Sequence, residues 1–186
     1  MDIHISIADA EHFSYAGKIC AIMEEAAKHR GTGIAKRAPK YIQSKMKQGK
    51  AVIAIDEDIG KLAGFCYIEN WEHNNYIANS GLIVHPHYRK IGLGRRIKQQ
   101  IFELSRQKYP EAKIFGITTS MAVMKINSDM GYKPVTFSEL TQDEEFWQGC
   151  QSCPNYDILT SEDRKGCLCT GMLYDPDEKD SKNRRS

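Results

Sequence analysis

The sequence predicts one α/β domain of mixed, α+β character, a single sheet with helices packed on its faces. Three observations point there. Short apolar runs bounded by turn residues alternate with segments of helical period from residue 3 to residue 137. No internal repeat or low-complexity linker divides the chain. Its 186 residues, 41% hydrophobic and 27% charged, suit one globular core with a short appendage.

Taken in order, His4 to Ile7 alternate with apolar neighbours as a first strand. Glu11 to Arg30 read as a helix, because Ile19, Ile22, Met23 and Ala26 recur on one face. The glycine-rich basic loop RGTGIAKRAP follows, and Pro39 sits where a second helix, running to about Gln48, can begin. AVIAI (51–55), KLAGFCYIEN (61–70) and YIANSGLIV (76–84) are strands joined by polar turns. Gly92 to Lys108 is amphipathic, with Leu93, Ile97, Ile101 and Leu104 at helical intervals. KIFGITT (113–119) reads as a buried strand, and Met121 to Met130 as a helix stopped by Gly131. Tyr132 to Phe137 forms a further strand. The order is β-α-α-β-β-β-α-β-α-β. It divides the chain into a domain over 1–137, a cysteine-containing extension packing on it over 138–175, and a polar tail over 176–186 expected to be disordered.

Composition narrows the function. Basic and acidic residues nearly cancel, at 26 against 24, which argues against a nucleic-acid binder. No apolar run approaches the roughly 20 residues that span a bilayer, and the start MDIHISIADAEHF carries no signal-peptide pattern. A cytoplasmic protein without a membrane partner is expected.

The sharpest local signal is GLIVHPHYRKIGLGRRI, from Gly81 to Ile97. A strand ends at Val84, a basic turn follows, and Gly92 and Gly94 open an amphipathic helix. A helix start leaves backbone N–H groups unpaired and adds partial positive charge. The two glycines carry no side chain to block a ligand from those donors. With Arg89, Lys90, Arg95 and Arg96 around it, this turn suits a pyrophosphate. The spacing matches neither a P-loop nor the dinucleotide fingerprint, which disfavours a nucleoside triphosphatase and a Rossmann dehydrogenase.

At these residues the sequence resembles the GNAT acetyltransferases, whose signature is a strand, V-x-P-x-x-R/Q-x-x-G-x-G/A, and a helix. Val84, Pro86, Arg89, Gly92 and Gly94 match every defined position. The likeness continues through Ile114–Thr119, Met121–Met130 and the Gly131-Tyr132 pair. It implies the GNAT acyl-CoA N-acyltransferase fold, a central mixed sheet splayed between strands 4 and 5 with flanking helices. It implies acetyl-CoA or another acyl-CoA as cofactor. The backbone of Leu82, Ile83 and Val84 is expected along the pantetheine arm, and the N–H groups of Arg89, Lys90, Ile91, Gly92, Leu93, Gly94 and Arg95 on the pyrophosphate. A backbone N–H near Ile83 would stabilise the oxyanion.

The chemistry implied is attack of a deprotonated primary amine on a thioester. In many members of the family a tyrosine on the last helix protonates the departing thiolate. Here that position falls on Ile126 or Asn127, and Asn127, the better match, cannot act as an acid, so it becomes a cofactor-contacting candidate. Glu69, at the end of a central strand with Glu72 close by, is the candidate general base.

The loop between the first two helices usually walls the acceptor site in this fold. Arg30, Lys36 and Arg37 lie on or beside it, and cations there suit a carboxylate-bearing acceptor. The stretch from Ile117 to Leu140 is similar to the C-terminal part of bacterial N-acetylglutamate synthases. The whole chain is similar to short Bacteroidetes-type GNAT proteins linked to arginine biosynthesis. That resemblance implies transfer of acetyl or succinyl to the glutamate α-amine. A protein or peptide acetyltransferase and a non-catalytic acyl-CoA-binding regulatory module are the alternatives, and a homodimer is compatible with the fold.

Cys150, Cys153, Cys167 and Cys169 form a CxxC, thirteen intervening residues and a CxC. CxxC is a common zinc knuckle, and two cysteines one residue apart on a strand share a face. A structural zinc, free thiols and disulfides are all compatible with this pattern.

Overall fold

A computed structural model describes residues 2–31 and 36–178; part of the 30–39 loop and residues 179–186 of the tail lie outside the described residues. The strands are β1 (Ile3–Ile7), β2 (Ala51–Asp56), β3 (Lys61–Trp71), β4 (Tyr76–Val84), β5 (Lys113–Thr118), β6 (Lys133–Val135) and β7 (Thr170–Tyr174). The helices are α1 (Ala16–Arg30), α2 (Pro39–Lys47), α3 (Leu93–Lys108), α4 (Met121–Asp129), α5 (Glu144–Gln148) and α6 (Tyr156–Ser161). One seven-stranded mixed sheet runs in the order β1-β2-β3-β4-β5-β7-β6. Every pairing is antiparallel except β4 with β5.

The expected elements form close to their expected limits, with two differences. The first helix does not start at Glu11: Ala10–Tyr15 make a 3-10 turn capped by Asp9, and α1 begins at Ala16. The strand expected over 132–137 contracts to three residues. The rest of it turns at Phe137–Glu139, where Thr136 and Glu139 form a capping box. The residues beyond 137 do not stand apart from the domain. β7 lies between β5 and β6, and Phe137, Trp147 and Leu159 pack with Ala78 and Phe115 as one core cluster.

Two further clusters cover the faces of the sheet. α1 and α2 bury Ile19, Met23, Ile42 and Met46 against Ile53, Phe65 and Ile83. On the opposite face α3 buries Leu93, Ile97, Ile101 and Leu104 against Val52, Cys66, Ile68 and Ile77. Fully burying side chains of this size stabilises by roughly 2 kcal/mol each, so both layers are firmly attached. Among the described residues no helix is long and apolar enough to cross a membrane.

The sheet is open in its middle. β4 and β5 share only the rungs Tyr76–Lys113, Ile77–Ile114 and Ala78–Phe115. Beyond them β4 bulges against β3, with Phe65 opposite Ile83 but Tyr67 opposite Ser80. Gly81 absorbs the extra residue at φ +64°, and a Cβ there would lie 2.4 Å from the Tyr67 ring. The bulge turns β4 away from β5, and a cleft opens between them.

Candidate active site

The cleft continues into a cavity of about 440 Å³ on the face covered by α2 and by the segment after residue 137. Asn79 to Leu82 and Gly116 to Thr118 form its sides. Arg37 and Tyr41 wall one end, and Phe146, Tyr156 and the cysteine-bearing loops wall the other. Lys98, Val123 and Asn127 reach it from the α3/α4 side of the sheet. The cleft therefore joins the face that carries the α3 N-terminus to the face covered by α2.

On the α3 side, the turn after β4 leads directly into the helix. Tyr88 is buried and donates to Asp56 Oδ2 at 2.9 Å, which fastens the turn to β2. Lys90 and Gly92 both take positive φ, 66° and 79°. Gly92 caps α3 without a side chain, and Arg95 and Arg96 N–H both bond its carbonyl. Among the described residues, no protein acceptor is taken by the N–H groups of Lys90, Ile91, Gly92, Leu93 and Gly94. The basic side chains are less concentrated than the amides. Arg89 Nε donates to Val84 O at 3.1 Å, Arg95 pairs with Asp129 on α4, and Arg96 reaches Ile3 O. The anion cradle is thus chiefly backbone.

Along β4, the ladder's period of two decides which groups face the opening. His85 N–H bonds Ala63 O at 2.9 Å, so Ile83, two residues earlier, also turns its amide toward β3. Leu82 and Val84 present theirs to the cleft, and Leu82 lines it. The edge available to a pantetheine arm and an oxyanion is therefore that of Leu82 and Val84. Ile83 contributes a buried side chain to the α1/α2 layer.

On the α2 side Glu69 is only 5% exposed, and three donors hold it. Arg37 Nη2 lies 2.8 Å and Tyr41 OH 2.5 Å from Oε1, while Ser80 Oγ donates to Oε2 at 2.7 Å. Arg37 Nε also donates to Tyr67 OH at 3.1 Å, and its guanidinium stacks over the Tyr41 ring at 4.8 Å. Burial alone would lower the Arg37 guanidinium, but Tyr67 and Glu69 beside it more than offset that and keep it charged. Burial, then the Glu69 charge, pushes the phenols of Tyr41 and Tyr67 up, so both remain donors. Glu72, the other carboxylate at this end of β3, accepts from Thr141 Oγ1 at 2.7 Å and Gln142 N at 2.6 Å and anchors the chain after residue 137.

Of the three basic residues proposed for the acceptor, the structure brings only Arg37 to the cavity. Lys36 reaches toward Glu24 on α1 at 3.9 Å, and the side chain of Arg30 lies outside the described residues. Asn127 does line the cavity; it is 2% exposed, and among the described residues its buried Oδ1 has no hydrogen-bond partner. A buried amide oxygen of that kind calls for an N–H or O–H from a ligand. It fits the amide-bearing pantetheine arm implied by the fold.

The four cysteines converge on the far rim of the cavity, none of them in a disulfide. Burial, reinforced by their mutual charge repulsion, pushes Cys150 up to about 11 and Cys169 up to about 12. Among the described residues, no group of three or more His, Cys, Asp or Glu side chains is arranged to hold a metal ion.

Sequence reasoning missed Tyr41, Tyr67, Ser80 and Lys98. The last carried a signal: Lys98 stands four residues after Gly94 and three before Ile101, a charge in phase with an apolar helix face.

Residues 39–122 match the model of the acetyltransferase (GNAT) family. No curated protein matches the chain in sequence. Among solved structures it is similar to N-acetylglutamate synthase from Neisseria gonorrhoeae complexed with coenzyme A and N-acetyl-glutamate, at TM-score 0.64 and 15% identity. That alignment covers 94% of this chain but 35% of the synthase, so the chain spans about a third of its length. Rv2747 from Mycobacterium tuberculosis, in complex with CoA, gives TM-score 0.65 and 15% identity over 92% of this chain and 98% of that one. An acetyltransferase from Salmonella typhimurium, yncA, with its cofactor acetyl-CoA, gives 0.64 and 13% over 95% of each. These likenesses show the fold, and the match of residues 39–122 to the GNAT acetyltransferase family model agrees with it.

Proposed function

We propose that the protein moves an acetyl or succinyl group from acyl-CoA to the primary amine of a small acidic acceptor, with the glutamate α-amine in arginine biosynthesis as the leading candidate. The Arg37–Glu69 pair at the acceptor end of the cleft carries this reading. A guanidinium and a carboxylate side by side complement an amino acid's own carboxylate and ammonium. Acceptor binding then brings an ammonium toward Glu69, which can take its proton directly or through water. A cavity of about 440 Å³ suits a small molecule better than a protein segment, which would need an open groove. That one neighbour binds N-acetyl-glutamate is consistent with this choice.

The cofactor is held, on this reading, by the bare amides of Lys90 to Gly94, by the Leu82–Val84 edge and by Asn127; the amides of Arg89 and Arg95, also expected there, are taken by Pro86 O and Gly92 O. Attack of the free amine forms the N–C bond, edge N–H groups stabilise the oxyanion, and the C–S bond then breaks. Thiol release from acetyl-CoA and from succinyl-CoA, measured across the twenty amino acids, tests the proposal. Turnover confined to acidic amino acids supports it. Turnover on a peptide amine alone, or acyl-CoA binding without turnover on any amine, overturns it.

A further inference from the structure

We propose that Lys98 meets the sulfur of the acyl donor at the fork of the β4–β5 cleft and protonates it as it leaves. The proposal rests on the acyl-transfer reading above and supplies the acid that the asparagine at position 127 cannot.

Position comes first. The last rung between β4 and β5 is Ala78–Phe115, so Asn79 is the first β4 residue inside the cleft. Lys98 Nζ lies 3.1 Å from Asn79 Oδ1, on the α3 side. The ammonium therefore stands where the strands part, at the deep end of the path from the α3 N-terminus, and it lines the cavity. A thioester that follows this path and reaches the acceptor face passes that point.

The surroundings hold the ammonium in place. Ser105 Oγ donates to Ile101 O at 2.7 Å, so toward Asn79 Nδ2, 2.8 Å away, it can only accept. That fixes the Asn79 amide with Oδ1 facing Lys98. Tyr132 OH bonds the same oxygen at 3.2 Å, and the Tyr132 ring lies 5.0 Å from Nζ. The Tyr132 proton is thus already engaged.

Lys98 is 2% exposed, and among the described residues no carboxylate pairs with it. Asn79 Oδ1 is the one hydrogen-bond acceptor it reaches there. An ammonium buried with so few partners costs several kcal/mol that a methionine would not. A thiolate formed beside it would supply the missing anion.

The titratable groups facing Nζ are Cys66 from β3 and Tyr132 from the turn after α4. Burial pushes the Cys66 thiol up to about 11 and the Tyr132 phenol well up, so both stay neutral near pH 7. Burial brings Lys98 itself down to about 8. It is charged near pH 7, yet no weaker an acid than an ordinary alkyl thiol at about 8.5. Proton transfer to a leaving thiolate is then close to even or downhill. In the step, the C–S electron pair goes to sulfur, an Nζ proton follows to give CoA thiol, and neutral Lys98 regains a proton from solvent or from the acceptor nitrogen.

The first arm of the test needs no acceptor. Ultraviolet thiolate absorbance of bound CoA, referenced to bound desulfo-CoA to cancel the protein's own cysteines, gives the ionisation of the CoA thiol. The thiol should ionise at least tenfold more readily on the wild-type protein than on Lys98→Met, with CoA affinity within about twofold. Lys98→Gln, closer in polarity, should behave as Lys98→Met if the larger change perturbs folding. Turnover with the best acceptor should fall on the order of 100-fold in kcat in either variant. Equal thiol ionisation in wild type and both variants, or an unchanged kcat, overturns the proposal. A shifted thiol on a protein that acylates no amine would instead sink the functional reading and leave Lys98 as a thiolate partner.

Discussion

Arg37 and Glu69 meet at 2.8 Å, one from the residues leading into α2 and the other from the far half of β3. Their side chains are 21% and 7% exposed, so water does little to screen either. Taking one partner from such a pair leaves a buried charge unmatched. Arg37→Ala should therefore cost about 3 kcal/mol of stability, read by urea denaturation. It should also raise KM for an acidic acceptor at least tenfold while leaving KM for acyl-CoA unchanged. A double-mutant cycle with Glu69→Gln should return a coupling above about 1 kcal/mol. Additive losses would mean that the pair does not act as a unit.

The bulge that opens the cleft depends on Gly81. At φ +64° any side chain is strained, and its Cβ would lie 2.4 and 3.0 Å from two Tyr67 ring carbons. Tyr67 cannot retreat freely, because its hydroxyl accepts from Arg37. Gly81→Ala should lower stability by about 2 kcal/mol or more and also weaken acceptor binding through Tyr67. An unaltered Tm with intact turnover would show that the bulge tolerates a side chain.

Much of this architecture was legible in the sequence, for physical reasons. The strand-turn-helix at 81–97 is local: glycines, a proline and an apolar period specify it without help from distant residues. The limits of β4 and α2 follow from turn residues and from Pro39 in the same way. The Glu69 cluster could not be read. Arg37 and Tyr41 come from the approach to α2 and its first turn, Tyr67 from β3 and Ser80 from β4, and only the fold brings these three segments together. The same holds for β7, whose place between β5 and β6 is a matter of topology. A two-residue period also separates Ile83, turned toward β3, from Leu82 and Val84, turned toward the cleft, and register is visible only once strands are paired.

At the α3 N-terminus, stability and cofactor binding can be separated. A Cβ at Gly94 meets only Val84 Cγ2 at 3.5 Å, an ordinary contact. Gly94→Glu should leave Tm within a few degrees yet place a carboxylate before amides that await an anion. CoA affinity, measured by calorimetry, should fall at least tenfold, and desulfo-CoA should lose as much. Retained affinity would remove the cradle from the cofactor path.

The thiols at the rim of the cavity should be sluggish nucleophiles. Cys150 and Cys169 are pushed up to about 11 and about 12, which leaves little thiolate at pH 8. Alkylation followed by mass spectrometry should find both reacting roughly 100-fold more slowly than a free thiol at that pH. Rapid labelling would show that the local packing is looser than described. Acceleration by a chelator would reveal a cation already holding them.

Lys98 ties activity to stability. Burial disfavours its charged form and brings the ammonium down to about 8 in the folded protein, from the ordinary lysine value of 10.5. Between those two values the unfolded chain binds the extra proton, and stability rises with pH. Below about pH 8 both states are protonated and the full cost remains, on the order of 3 kcal/mol for a shift of this size. Lys98→Met should remove that cost, offset in part by the lost bond to Asn79. The variant should then be more stable than wild type at pH 7, with the gap closing as the pH rises toward 10. Denaturant midpoints at pH 7 and pH 9.5 would decide it. A variant less stable at both would mean that the Asn79 bond outweighs the desolvation, and that Lys98 is held in place for structure.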